Sequence, residues 1–240
     1  LFLGDCKNGR TVRATLHSRG ATYAADYDVF LHAAALNVCD MAIGPDRAMY
    51  FITGGRGSQS GLYRVTCEAA NVSESEAGTP RVVHEQQGRE SRELRRQLEV
   101  FHRRRDARAV EVAWPHLRSD DRWLRFAARL AVERQAPGLW REKALSEPHP
   151  TASIAALLAL ARLGDPSDQP GLLQALNRLS LSELDREQLL DALRVFQLSF
   201  IRQGPPSAQD QAAVLEKLHP LFPHPRRGPV TREPCRLLTS

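Results

Sequence analysis

The run DMAIGPDRAMYFITGGRGSQSGLYRVT, Asp40 to Thr66, constrains the fold more than any other part of the chain. Met41 and Ile43 alternate with small or polar neighbours, the period-two pattern of a half-buried strand. Pro45, Asp46 and Arg47 mark a tight turn, because Pro presets φ and Asp favours turns through its side chain. Gly would sit more easily than Arg47 if that position needs positive φ. AMYFITGG reads as a second strand, rich in β-branched and aromatic residues, and GLYRVT as a third. Between them GGRGSQSG, residues 54–61, is a loop with four glycines and the hydrogen-bonding side chains of Ser58, Gln59 and Ser60.

The first residues repeat part of this plan: LFLGD as strand, CKNG as loop, RTVRATL as alternating strand. Strand–loop–strand thus occurs at residues 1–16 and again at 48–66. ATYAADYDVFLHAAAL reads as a connection between the copies. The spacing is close to the ~40–50 residues of a propeller blade. About one and a half blades cannot close a ring, and open edges leave backbone N–H and C=O groups unpaired. The expectation is a sheet built to pair with further strands, at an N-terminus that is not the natural one. LFLGDCKNGR lacks an initiator Met, a basic n-region and a cleavage site, so it is no signal peptide.

Residues 68–89, EAANVSESEAGTPRVVHEQQGR, lose periodicity and carry linker composition. From residue 90 onward, helices follow one another, each stopped by Pro or Gly. One starts near Ser119 or Asp120 as N-cap, turning Leu124, Ala127, Ala128 and Leu130 inward and Arg125, Arg129 and Glu133 to water. HPTASIAALLALARLGDP buries Ile154, Leu157, Leu158 and Ala161 and ends at Gly164. LSELDREQLLDALRVFQLSFIRQ carries Leu189, Leu190, Leu193, Phe196 and Phe200, and SAQDQAAVLEKLHPLF forms a fourth helix. Paired helices with Pro-marked turns fit an α-solenoid of HEAT type. VTREPCRLLTS reads as a further helix just beginning. The expected fold is therefore mainly α with an N-terminal β part: incomplete β-propeller blades over 1–67, a linker over 68–89 and a HEAT-like α-solenoid over 90–240.

Composition excludes several function classes. No run of about 18 apolar residues exists to span a membrane. The net charge is +5, carried almost wholly by Arg, since Lys occurs only at 7, 143 and 217. The densest basic stretch, Arg95 to Arg108, reads as a solvated helix end, with phosphates or an acidic partner as the functional alternative. No aromatic interleaving supports nucleic-acid stacking. The four cysteines, Cys6, Cys39, Cys67 and Cys235, form no CxxC, CxxCH or zinc-spaced group. Cys39 and Cys67 read as buried small hydrophobes beside strands. His102, His116, His149, His219 and His224 lack ligand spacing, so no metal site is expected. Trp114, Trp123 and Trp140 read as core packing. The glycine loop is neither GxGxxG before a helix, nor a P-loop, nor GxSxG.

The Asp40–Thr66 run resembles the last blade of the membrane-bound dehydrogenase family of planctomycete and verrucomicrobial type. LFLGD…NGR matches the preceding blade of that family, and the helices match its HEAT segment. Arg47, where the family usually has Gly, and Cys6, where a large aromatic is more usual, depart from it. The resemblance implies an extracytoplasmic, periplasmic protein that joins a glucose/sorbosone dehydrogenase-like propeller, HEAT repeats and a c-type cytochrome domain. It implies haem c, and a quinone or calcium, in the full-length parent, with no cofactor in this chain. It also implies that CKNG and GGRGSQSG open on a ligand-binding face. Arg56 would then meet an anionic group. Ser58, Gln59 and Ser60 would hydrogen-bond a polyol, with Asp5, Lys7 and Asn8 beside them. The alternative is that these loops only turn the chain and meet water. No catalytic residue is identified. Two functions stay open: a mainly scaffolding part of an oxidoreductase acting on sugars or alcohols, or a non-catalytic scaffold that binds carbohydrate or a protein partner.

Overall fold

A computed structural model of the chain describes residues 1–34, 36–55, 57, 59–66 and 82–221; for 82–87 it describes only the helix itself. The chain divides into two compact units, Leu1–Glu90 and Ser91–Ser240.

The first unit holds two three-stranded antiparallel sheets, ordered β1-β2-β3 and β4-β5-β6. The strands are β1 (Phe2–Asp5), β2 (Arg10–Arg19), β3 (Thr22–His32), β4 (Val38–Ile43), β5 (Met49–Thr53) and β6 (Gly61–Val65). The stretch expected to be a mere connection is largely β3. It pairs with β2 along nearly its whole length, with one bulge between Thr11 and Val12. Alternation along TYAADYDVFLH is muted by Ala and Asp, which hid the strand from a pattern count. Among the described residues the strands close neither a barrel nor a propeller ring.

The sheets meet through a small core. Leu36, Val38 and Phe51 are buried, with Leu31, Met41 and Val65 packed against them. Gly4 on β1 lies against Val38, where an added Cβ would approach to 3.3 Å. The opposite faces carry exposed apolar side chains, mixed on the second sheet with Asp40, Tyr50 and Arg64. On the first sheet Leu3, Leu16, Tyr27 and Val29 share the outer face, and on the second Ile52 lies opposite Leu62, which is 72% exposed. Cys39 is exposed rather than buried, its thiol pointing to the Gly54 carbonyl at 3.4 Å. The readings placed on Cys67, Cys235, His224 and the VTREPCRLLTS helix lie outside the described residues.

The second unit is helical: α1 (Val82–Val100, which begins in the first unit), α2 (Arg108–Ala113), α3 (Arg122–Glu133), α4 (Arg141–Ser146), α5 (Pro150–Leu163), α6 (Gln169–Arg178), α7 (Arg186–Gln203) and α8 (Ala208–Leu218). Because α1 starts at Val82, the last eight residues of the expected linker are helical. Pro115 converts the end of α2 into a 3-10 turn, Trp114–Arg118. The N-cap of α3 is Asp121, not Ser119 or Asp120; its carboxylate accepts from the backbone N–H of Trp123 at 2.8 Å. Asp185 caps α7 in a reciprocal capping box with Gln188, satisfying two N–H groups that helix geometry leaves free.

Helices α3, α5 and α7 contact one another in that order, and α4 meets α6, which meets α8. The hub is α5, which touches α3, α4, α6, α7 and the 3-10 turn. Its buried residues are mostly small, including Ala152, Ser153, Ala156, Ala159 and Ala161. Large side chains from its neighbours complete the core: Trp140, Phe196, Leu172, Leu176 and Leu193 are fully buried. Several buried polar groups find hydrogen-bond partners. Trp140 Nε1 donates to the Gln135 carbonyl at 3.3 Å, and Gln169 Nε2 to the Gly204 carbonyl at 2.7 Å.

Candidate functional site

The two loops of the β unit lie at the same end of the sheets. Both are tied to the connection between β3 and β4: the Ala33 N–H donates to the Gly9 carbonyl at 3.2 Å, and the Gly54 N–H to the Asn37 carbonyl at 3.1 Å. Gly9 has φ +61, and a Cβ there would sit 2.8 Å from the Ala33 oxygen, so this turn needs glycine.

The candidate ligand residues differ in what they are free to do. Asp5 accepts from Asn8 Nδ2 at 2.8 Å and from Arg10 Nε at 2.8 Å. These bonds, Asn8's first, hold its carboxyl below the ordinary value. Asp5 and Asn8 therefore brace their own turn. Lys7, Gln59 and Ser60 are exposed. Arg56 and Ser58 lie outside the described residues. The loops share an end.

The described cavity lies in the helical unit, a groove of about 810 Å³ across the N-terminal halves of α3, α5 and α7. Ile154, Ala155 and Leu158 of α5 line it, with Trp123 and Phe126 of α3 and Leu190 and Asp191 of α7. Trp123 is 39% and Phe126 46% exposed. Burial favours large aromatics, and Trp114 and Trp140 are indeed in the core. Trp123 is the exception to the core reading made for all three. The guanidinium groups of Arg95 and Arg122 lie 5.4 and 5.5 Å from its ring centroid, and that of Arg129 lies 5.3 Å from Phe126. Cationic groups at such distances are attracted to the ring faces.

The charges of the groove are arranged in steps. Arg125 and Arg129 sit one turn apart on α3, Glu187 and Asp191 one turn apart on α7. At the first step Arg125 Nη2 donates to Glu187 Oε1 at 2.8 Å, bridging the two helices. At the second step Arg129 turns away to Glu133 at 2.5 Å, and Arg162 reaches the same carboxylate at 3.2 Å. The Arg129 and Glu133 side chains are only 12% and 8% exposed. The spacing that suggested a water-facing stripe for Arg125, Arg129 and Glu133 is therefore a groove wall and a buried ion pair. Asp191 is left without a hydrogen bond or ion pair to any described residue. It faces the solvent of the groove, yet the walls withhold enough water to push its carboxyl above the ordinary value. Glu187 adds to that shift, while Arg125, Arg129 and Arg122 oppose it.

Sequence reasoning missed this site because its parts lie on three helices 30 to 60 residues apart. The available signal was a Trp and a Phe flanked by Arg in RWLRFAARL. Among the described residues no group of three or more His, Cys, Asp or Glu is placed to hold a metal, and no helix is long and apolar enough to cross a membrane. Comparison with protein families, with curated proteins and with solved structures finds no match.

Proposed function

We propose that this chain is a scaffold: its helical unit, a HEAT-like solenoid segment, docks a protein segment in the groove across α3, α5 and α7. The observation that carries this reading is the exposure of Trp123 and Phe126 beside the apolar residues of α5, in a protein whose other tryptophans are buried. Solvent-exposed aromatics with arginines over an apolar floor have the composition of binding hot spots. The successive contacts of α3, α5 and α7 support the solenoid part, since stacked helix pairs generate continuous ligand faces.

For the β unit we propose adjoining blades of a propeller in a larger extracytoplasmic oxidoreductase acting on sugars or alcohols, with haem c outside this chain and a quinone or calcium as a further cofactor. The support is the resemblance of Asp40–Thr66 together with the open apolar faces bearing Tyr27, Val29, Ile52 and Leu62. In a propeller both faces of a blade are covered by neighbours. Haem absorption and dye reduction with sugars, measured on the complete open reading frame, test that context.

The docking test is panning of a random nonapeptide phage library on the full chain. Binders whose capture weakens at least ~30-fold on Trp123→Ser fit a buried aromatic anchor of about 2 kcal/mol or more. Binders indifferent to Trp123, or none at all, overturn the docking reading.

A further inference from the structure

Independently of the groove, we propose that Cys6 and Cys39 are a reactive thiol pair, which a small-molecule disulfide closes into a cross-link tying the turn after β1 to the start of β4. The two residues are far apart in sequence, and the fold brings them to one place. Gly4 on β1 lies so close to Val38 that an added Cβ would come within 3.3 Å of the Val38 Cβ and carbonyl oxygen. Cys6, two residues on, meets the same residue: its Sγ donates to the Val38 carbonyl at 2.9 Å. The carbon of that carbonyl is bonded to the nitrogen of Cys39. Standard bond lengths then put the Cys6 sulfur within about 6 Å of the Cys39 Cα.

Strand β4 turns Cys39 the same way. Its register with β5 shifts between Val38 and Asp40, so Cys39 is the extra residue of a bulge, a device that re-aims a side chain. Met41 packs on the core that holds Val38 and Phe51. Counting back two residues from Met41 places Cys39 on the face that Val38 turns to β1. The Cys39 thiol rests 3.4 Å from the Gly54 carbonyl and 3.6 Å from the Asn37 carbonyl, and a thiol is a weak donor. A turn to another staggered χ1 rotamer releases it toward Cys6. Both thiols are free and exposed, so a reagent in solution reaches them.

The chemistry is thiol–disulfide exchange. One cysteine, as thiolate, attacks a sulfur of oxidised glutathione; a protein–glutathione bond forms and one glutathione thiol leaves. The thiolate of the second cysteine attacks the protein sulfur of that bond, and the second glutathione leaves as a thiol. Two protein thiols are oxidised, one small disulfide is reduced to two thiols, and the two cysteine protons end on the departing glutathiones. The new bond fixes the turn at Lys7 and Asn8 against the connection between β3 and β4, which the Ala33–Gly9 hydrogen bond already touches.

The test incubates the full chain in glutathione buffers of increasing oxidised fraction, blocks the remaining thiols and maps the tryptic peptides by mass. We expect residues 1–7, which carry Cys6, to be recovered linked to residues 20–47, which carry Cys39. The linked mass should lie about 2 Da below the sum of the two thiol peptides, since two hydrogens leave. In Cys39→Ser, Cys6 is expected to retain at least ~10-fold more glutathione than in the native chain, because no neighbouring thiol displaces it. Closing the pair is expected to raise the melting temperature of the β unit by about 5 °C or more over the reduced chain. The linked peptides are read on the native chain, so that result does not depend on how the variant folds. Cys6 and Cys39 recovered as separate glutathione adducts, cross-linked instead to Cys67 or Cys235, or bonded with no rise in melting temperature, overturn the proposal.

Discussion

Arg47 has φ 62, a left-handed backbone that costs a side chain with a Cβ about 1–2 kcal/mol. The strain is held by the turn around it: the Arg47 N–H donates to the Gly44 carbonyl at 2.9 Å, and Asp46 accepts from Tyr50 and Arg64 at 2.9 and 2.7 Å. Arg47→Gly should stabilise the β unit by about 0.5–1 kcal/mol, less than the full strain because Gly also loosens the unfolded chain. A rise in that unit's melting temperature checks it. Asp191 offers a pH test. Its folded-state carboxyl is raised, so the charged form is the disfavoured one in the fold, and stability falls as pH rises through the folded value. Asp191→Asn should therefore melt higher than the native chain at pH 7, with the gap closing as pH drops below the ordinary aspartate value of 3.8. Equal melting temperatures at pH 7 would count against a charge that the fold disfavours. Single residues were partly legible in the sequence. Turn chemistry pointed to Arg47, and helical spacing placed Leu124, Ala127 and Ala128 in the core. The same spacing misplaced Arg129 and Glu133, because an i, i+4 charge pair looks alike in water and against a neighbouring helix.

The elements differ in how locally they are specified. Helix α7 carries its own start signal, and Gln188 of its capping box also donates to Thr151 of α5 at 2.9 Å. Asp185→Ala should cost about 1 kcal/mol through the lost cap, seen as a lower denaturant midpoint for the helical unit with an unchanged slope. Between α3 and α5 an ion-pair cluster adds to the apolar packing: Arg129 and Glu133 pair within α3, and the half-exposed Arg162 of α5 reaches the same Glu133. Glu133→Ala leaves Arg129 and Arg162 facing each other without their shared carboxylate, and about 3–5 kcal/mol should be lost. The double change Glu133→Leu and Arg129→Met should recover much of it, since an apolar pair avoids the desolvation cost. Capping and breaker residues made α5, α7 and α8 readable from sequence. Strand β3 was not readable, since it is fixed by its ladder with β2 rather than by its own alternation.

At the scale of the whole molecule, the two units rest on different kinds of packing. The helical unit has a dense interior of Leu, Ala and aromatic side chains, while the β unit has a small core and outer faces with exposed apolar side chains. Replacing Tyr27 and Leu62 by Lys should leave this chain's melting temperature almost unchanged, because exposed sites contribute within about 0.5 kcal/mol. If further blades cover those faces in a longer chain, as proposed above, the same pair there should abolish folding, which a comparison of soluble yields would show. The division into β and helical parts was visible in the change of hydrophobic period. The groove was not, because its walls come together only when α3, α5 and α7 are stacked. That stacking rests on the alanines of α5, whose short side chains let three helices crowd around one axis. It follows that the gap between the walls is adjustable at single positions: a valine or leucine for Ala155 would fill the floor, and one for Ala156 would wedge the neighbours apart. The width open to a docked segment could then drift by one methyl group at a time, with no change to the arginines and carboxylates that line the walls.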